Sequence, residues 1–452
     1  MGMIDQKRFQ FVREALEGSG GFRPVCPRNE KGELIAPTQT HLIPYPREQD
    51  EKFARRNQVA WYANDIAPAC ERFAGYMTVN PPSRTMTHDV YKAMADELDG
   101  QGNSQDVFWG DFIVQAKARG TMLLLVDMPR VTENTPAGAR TAPYCVPIAP
   151  EAVSDYRIGS DGRFEWVEFP GVYTAEDGET LDVIWRFDQE KWEAKRNGAT
   201  IDSGEHPCEE CPVLIFTESG SFPCYGQFSQ IADISRRLFN MRSELDEILR
   251  AQTFSVLSYP IPPEHAHLIN ISEVAETIGT HNMLVHYGAA HGSAPAFIAP
   301  PDGPATIYLQ TIAALQDRIN EISLNVEMPN QQESGIALQM RFQALNSALS
   351  KFAERMEDLE RRMWDVARKW CGLSVAPDVQ WRRNYMLADV GNELAVLQQM
   401  QSSGMPERVI QEQMRRIISV QFGGLGHEQQ EEIAAAIDES GKEIDDDDHN
   451  QD

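Results

Sequence analysis

Thiols and imidazoles close together in a chain can hold a metal. The string His206-Pro207-Cys208-Glu209-Glu210-Cys211, with twelve residues between Cys211 and Cys224, offers three of the first and one of the second. Deprotonated, that set could ligate zinc tetrahedrally. A single CxxC is half of the usual ligand arrangement, and His206 does not lead it at a standard spacing, so cysteines in a turn are the competing reading. His281, His286 and His291 fall in β-rich or glycine-rich sequence without an acidic triplet beside them, which suits satisfied or exposed imidazoles better than proton shuttles. Ser160-Asp161-Gly162 and Glu218-Ser219-Gly220-Ser221 read as turns. There is no glycine-rich phosphate loop, no paired-histidine metalloprotease helix and no Gly-x-Ser-x-Gly elbow. The expectation is a protein that is not an enzyme, with no catalytic residue, no resident cofactor and no metal.

The elements that would carry any site belong to an ordinary globular chain. Of 452 residues, 42% are hydrophobic and 24% charged, which excludes disordered and fibrous classes and allows more than one domain. Met1 to Arg13 is charged throughout, unlike a signal peptide, and apolar runs such as Met122 to Val126 are strand-sized. With seven scattered cysteines the expected setting is a reducing cytosol and a soluble, membrane-free protein. Lys and Arg total 41 against 68 Asp and Glu, a net charge of -27. That balance disfavours a tight grip on phosphate backbone. It suits a wall past which DNA slides, because repulsion leaves no adhesive minimum.

Periodicity supplies the order of elements. The first third reads as helices followed by a strand, with Phe53, Val59, Tyr62, Ile66, Phe73 and Tyr76 giving a long helical apolar stripe ended by Pro81 and Pro82. A second helix, Val107 to Arg119, stops at Gly120 and feeds a buried strand, Thr121 to Val126, an α/β opening. Short β runs follow at 164–169, 181–187 and 213–216, punctuated by Asp161-Gly162, Asp177-Gly178 and Asn197-Gly198, so the middle reads as antiparallel sheet. After Gly226, apolar residues from Phe228 to Ile248 lie on one helical face. Strand-like pieces at 254–259, 283–287 and 296–298, with a short helix near 274–278, predict a small mixed module. A further helix starts at Pro304 and runs to Leu324. The polar segment from Asn325 to Ser334 predicts a loop.

From Leu338 the apolar residues Phe342, Leu345, Leu349, Phe352, Met356, Leu359, Met363 and Val366 recur at spacings of four and three without a break. Such a helix, from Ile336 to Trp370, spans roughly 50 Å, suited to a spoke in an assembly. Periodicity fits an internal core helix of a monomer equally well. Short helices at 392–400 and 406–420 and a last one at 428–438 precede an acidic end, Glu443 to Asp452, whose self-repulsion predicts a solvated tail.

In this order of elements, and in particular strings, the chain resembles the bacteriophage portal proteins, the head-to-tail connectors of tailed double-stranded DNA phages. Glu333-Ser334-Gly335-Ile336-Ala337-Leu338, opening the long helix, resembles the family's junction between tunnel loop and long wing helix. Pro212-Val213-Leu214-Ile215-Phe216, then Tyr225-Gly226 and a helix with Leu238, Asn240 and Ser243, is similar to the strand leading into the first stem helix. Gly120-Thr121 with Leu123-Leu124-Leu125-Val126-Asp127, and later Pro150-Glu151-Ala152-Val153, resembles the wing domain.

The resemblance implies an α+β portal-like fold. Its parts would be a wing domain at 1–225 with helices and a β-rich part, a first stem helix at 226–250, an α/β clip at 251–303 and a second stem helix at 304–324. The tunnel loop would be 325–335, the long wing helix and following wing segment 336–384, a helical crown 385–440, and a disordered acidic tail 441–452. The implied function is a ring, a homododecamer, at one vertex of the virion capsid, assembled in the host cytoplasm. It would conduct double-stranded DNA during packaging and ejection. Implied partners are the terminase large subunit, head-completion and tail adaptor proteins, capsid and scaffolding protein, and the DNA in the channel. The implied tunnel loop carries Glu327 and Glu333 but no Lys or Arg, leaving Asn325, Asn330, Gln331 and Gln332 for any contact with DNA. Leu338, Phe342, Leu345, Leu349, Phe352 and Met356 would pack the long helix. Two other readings remain open: a zinc-bearing metalloprotein and a cytosolic helical scaffold protein.

Overall fold

Apolar residues spaced three and four apart build helices at both ends of the chain, and alternation builds sheet between them, giving a mixed α+β fold. The computed structural model describes residues 3–79, 81–129, 141–175, 178–253, 256–261, 283–287, 294, 296–298, 303–324, 335–385, 390–403, 405–406, 409–411, 413–414 and 417. The amino-terminal third holds α1 (Gln6–Glu17), α2 (Asp50–Val59), α3 (Ile66–Thr78), β1 (Ser83–Thr85), α4 (Asp89–Asp96), α5 (Gln105–Arg119), β2 (Thr121–Asp127) and β3 (Tyr144–Ile148). Strands β4 (Asp155–Ile158), β5 (Phe164–Thr174), β6 (Thr180–Asp188), β7 (Lys191–Arg196), β8 (Ala199–Glu205) and β9 (Val213–Thr217) follow. Then come α6 (Ser229–Thr253), β10 (Val256–Ile261), β11 (Met283–Tyr287), β12 (Ala296–Ile298), α7 (Gly303–Ile322), α8 (Gly335–Cys371), β13 (Asp378–Gln380) and α9 (Val390–Ser402). Two compact units result, one of residues 1–72, 111–126 and 145–328, the other of 73–110, 127–144 and 329–452.

In the first unit, β4 to β8 form a five-stranded antiparallel meander in chain order. Asn197 (φ 50°) and Gly198 (φ 81°) turn β7 into β8, as a tight hairpin with positive φ requires. Val167, Phe169 and Phe187 face inward, where the rings of Phe169 and Phe187 stack 5.9 Å apart. Leu123, Leu125, Val213 and Phe222 close the same core, and burying each such side chain contributes about 1.5–3 kcal/mol. Strand β2 is buried from Thr121 through Val126, so its unbroken apolar run reflects cover on both faces. Its partner β9 runs antiparallel, in register from Thr121↔Thr217 to Leu125↔Val213. Strand β2 is the central strand between β3 and β9, so one of its two partners comes from beyond the meander, which the local reading of a helix feeding a buried strand did not name.

The stripe from Phe53 to Tyr76 is divided between two helices, α2 and α3, by a break at 60–65. Asn64 Oδ1 accepts from Ala67 N–H (3.0 Å) and starts α3, with Pro68 in its first turn. The chain between α2 and α3 is fastened to the end of α1, where Tyr62 Oη donates to the carbonyl of Ala15 (2.9 Å) and Asn64 Nδ2 to that of Leu16 (2.7 Å). An asparagine cap followed by proline was the signal that apolar spacing alone overlooked.

In the second unit α8 runs 37 residues, about 56 Å at 1.5 Å per residue. Leu345, Leu349, Phe352, Met356, Leu359, Met363 and Val366 are buried, Phe342 is half-buried and Met340 is exposed. Phe352 meets the ring of Phe73 edge-on at 5.3 Å, and Trp364 meets Tyr91 at 5.6 Å. From Leu345 onward, then, the apolar stripe forms the core of its own unit. Glu360, fully buried, accepts from Arg84 Nε (2.6 Å) and Trp381 Nε1 (2.8 Å), tying α8 to the short ladder of β1 with β13.

Candidate functional site

In the first unit the helices α6 and α7 bracket a small sheet in chain order. Leu238 and Leu245 on α6 are buried, as are Ala305, Ile319 and Ile322 on α7, and the two helices pack together. Tyr308 of α7 donates from its hydroxyl to Glu244 Oε2 of α6 (2.6 Å), and that bond, first among the causes, pushes the phenol up to about 12. Between the helices lies a sheet in the order β11-β10-β12, with β10 parallel to β11 and antiparallel to β12. Parallel neighbours need a crossover. Residues 262–282, including the short helix expected near 274–278, lie outside the described residues.

One face of α6 is fixed by a strap, residues 39–48. Asn240 accepts from Ile43 N–H (2.7 Å) and donates to the carbonyls of His41 and Arg236 (both 2.9 Å), using its whole amide. Arg56 of α2 forms a two-pronged pair with Glu48 (3.0 and 2.9 Å), each side chain 1% exposed. The same guanidinium donates to the carbonyl of Ile43 (2.8 Å) and lies 4.0 Å over the ring of Tyr45. At the other end of the strap the Glu14 carboxylate collects donors from Gly21 N–H (3.0 Å), Gln10 (2.9 Å), Gln39 (2.7 Å) and His41 Nε2 (2.8 Å). Burial is the largest influence on Glu14 and opposes its charge, but the sum of these donors holds it below the ordinary carboxylate range. Burial among Phe11 and Phe22 lowers His41, against the pull of Glu14. At neutral pH His41 therefore serves as a neutral N–H donor.

The start of α6 is set by close backbone contact. Gly120, at φ 83°, sits where a Cβ would fall 2.0 Å from Gly226 N. Gly226 N–H donates to the carbonyl of Arg119 (2.9 Å), and Thr121 Oγ1 both accepts from Cys224 N–H (2.9 Å) and donates to the Cys224 carbonyl (2.7 Å). Beside this stitch the buried ammonium of Lys117 pairs with Glu218 and lies 4.6 Å over the ring of Phe228. The strings Gly120-Thr121 and Tyr225-Gly226, read separately in the sequence, are one joint.

The other residues singled out from sequence are dispersed. Cys211 lies in the sheet core with its thiol toward the carbonyl of Phe187 (3.7 Å), pushed up to about 12 by burial. Cys224 donates to the carbonyl of Gly120 (3.0 Å), and His206 Nε2 lies 3.1 Å from the carbonyl of Asp188. Among the described residues no group of three or more His, Cys, Asp or Glu side chains is placed to hold a metal. Asn325, Asn330, Gln331, Gln332, His281 and His291 lie outside the described residues, as do the side chains of His286 and Leu338. Of the segment 385–440 expected as a crown, α9 and a few helical residues to 417 are described, while the expected helix at 428–438 and the acidic tail fall outside. Glu14, His41, Glu48 and Arg56 were not singled out. For two of them the signal was a polar residue set within an apolar helical stripe, Glu14 between Val12 and Ala15 and Arg56 three residues after Phe53.

No helix among the described residues is long and apolar enough to cross a membrane. No family model matches the sequence, and no curated protein matches it. The fold is similar to chains of gene transfer agent (GTA) particles. A chain from the virion of the native particle has 12% identity over 88% of this chain and 96% of its own, with a TM-score of 0.43. A chain from the neck of the empty particle, computed with C6 symmetry, has 13% identity over 80% and 96%, with a TM-score of 0.42. One from the neck of the native particle, computed with C12 symmetry, has 12% identity over 75% and 86%, also at 0.42.

Proposed function

We propose that the chain is a portal subunit, one of a ring of identical copies around a channel for double-stranded DNA. The observation that carries the reading is the pair α6 and α7 bracketing the three-stranded module and followed by α8. In this reading α6 and α7 are a paired-helix stem, β10 to β12 the clip, and α8 the long helix that follows them in the chain. A heterologous contact repeated around an axis closes into a ring and buries apolar surface left open on one copy, here including Ile307 and Leu309, which are 63% and 56% exposed on α7. The net charge of -27 lets duplex DNA pass without adhering, since like charge offers no binding minimum. The chain acts mechanically and without catalysis, as conduit and docking platform for the packaging motor and the head-completion proteins. Its place is the capsid vertex of the particle.

Negative-stain imaging and mass photometry of the purified full-length chain test this. Rings with a central hole are expected. Coiled-coil dimers, or a monomer at every concentration, would overturn it.

A further inference from the structure

An open groove of 540 Å³ runs along α6 between the strap and α7, lined among others by Ile43, Met241, Tyr308, Arg236 and Arg237. Two carboxylates also line it, and both are engaged. Asp233 is gripped by both ends of the Arg8 guanidinium (2.7 Å each), and Glu244 accepts from Tyr308. Arg236 is held over the ring of Phe11 at 5.0 Å. Arg237 is exposed and makes no hydrogen bond or ion pair with a described residue. Beside it Ile43 is 65% exposed, though its backbone is pinned by Asn240 and Arg56. The groove is therefore preformed, and it offers one free guanidinium next to an apolar side chain on a rigid helix. Such a surface fits a carboxylate flanked by an apolar residue.

We propose that this groove receives a second copy of the chain, through a segment that carries a carboxylate beside an apolar side chain. Charge selects that occupant. Each copy carries -27, so two copies repel except where an exposed cation of one meets the acidic surface of the other. Arg237 is such a cation; of its neighbouring carboxylates Asp233 is paired with Arg8, and Glu244 keeps its charge while accepting from the Tyr308 hydroxyl. A phosphate backbone would bring a run of charges past Glu244, whereas a single protein carboxylate on an apolar stem brings one and fits both Arg237 and Ile43. This inference rests on the ring reading and names where one copy holds the next.

The test uses the full chain with Arg237→Glu, Arg237→Lys and Ile43→Asp, read by mass photometry for assembly and by circular dichroism for folding. Both altered side chains are exposed, so all three variants are expected to melt like wild type. Arg237→Glu and Ile43→Asp should each lower the assembled fraction by about tenfold or more, while Arg237→Lys keeps most of it. Arg237→Glu assembling like wild type overturns the groove and leaves the ring reading standing. A wild-type chain that never assembles overturns both. If Arg237→Glu assembles normally but loses binding to a short labelled DNA duplex, the groove is a nucleic-acid site and the proposal is wrong.

Discussion

Buried polar residues carry much of the specificity of the first unit, because each has one arrangement that satisfies it. The Arg56 and Glu48 pair is the sharpest case: with both side chains 1% exposed, removing either strands a charge in the interior. Glu48→Gln or Arg56→Met should cost about 3–5 kcal/mol in urea unfolding, and an unchanged midpoint would contradict the burial described. At Gly120 the penalty is steric. Alanine there must hold φ near 83° and place its Cβ against Gly226 N, so Gly120→Ala should lose about 2–4 kcal/mol or fail to fold. The Glu14 and His41 pair makes stability depend on pH, and both groups are lowered in the folded chain. The contribution of His41 is present above its ordinary value of 6.5 and fades as pH falls through its lower folded value. That of Glu14 is present above 4.5 and is lost further into acid. The urea midpoint should fall on acidification in two stages, and His41→Gln should remove the first stage alone.

At the scale of elements, α6 is positioned from both ends. The Gly120 and Gly226 contact sets where it begins, and Asn240 sets which face meets the strap. Asn240→Leu keeps the volume but leaves the Ile43 N–H and the His41 carbonyl without partners, at a cost of about 2–3 kcal/mol. Exchange of the Ile43 amide with deuterium should then accelerate while the meander β4 to β8 stays protected; uniform loosening would argue that strap and sheet are not separate. Asn240 appeared in the sequence only as part of a resembling string, since nothing local says that a helical amide will clasp a segment two hundred residues earlier. The helices themselves were legible. Those expected at 226–250 and 304–324 are Ser229–Thr253 and Gly303–Ile322, because amphipathic spacing and a proline at the start are local signals.

For the whole molecule, the long helix decides most. Leu349 is 1% exposed and Leu345 5% within the chain's own second unit. Leu349→Asp should therefore abolish folding of that unit, seen as lost helical circular dichroism, rather than merely dissociate an assembly. A folded Leu349→Asp monomer would mean that this part of the stripe faces another copy. Under the proposed ring, the exposed Ile307 and Leu309 on α7 and Arg237 in the groove are where substitution should disturb assembly with the fold kept.

Periodicity, turn residues and composition by themselves determined the helices found at Gln105–Arg119, Ser229–Thr253, Gly303–Ile322 and Gly335–Cys371, the antiparallel middle, the small module between two helices, and the strong negative charge. Each of these follows from interactions within a few residues or from simple sums. Only the tertiary structure decided that the stripe from Phe53 to Tyr76 breaks in two and that β2 pairs with β9. It alone joined Gly120 to Gly226, gathered four donors around Glu14, and turned the stripe of α8 from Leu345 onward into its own unit's core. Those outcomes depend on which distant surfaces meet once the loops close, and a repeat of three and four residues states that a face is apolar without stating what will cover it.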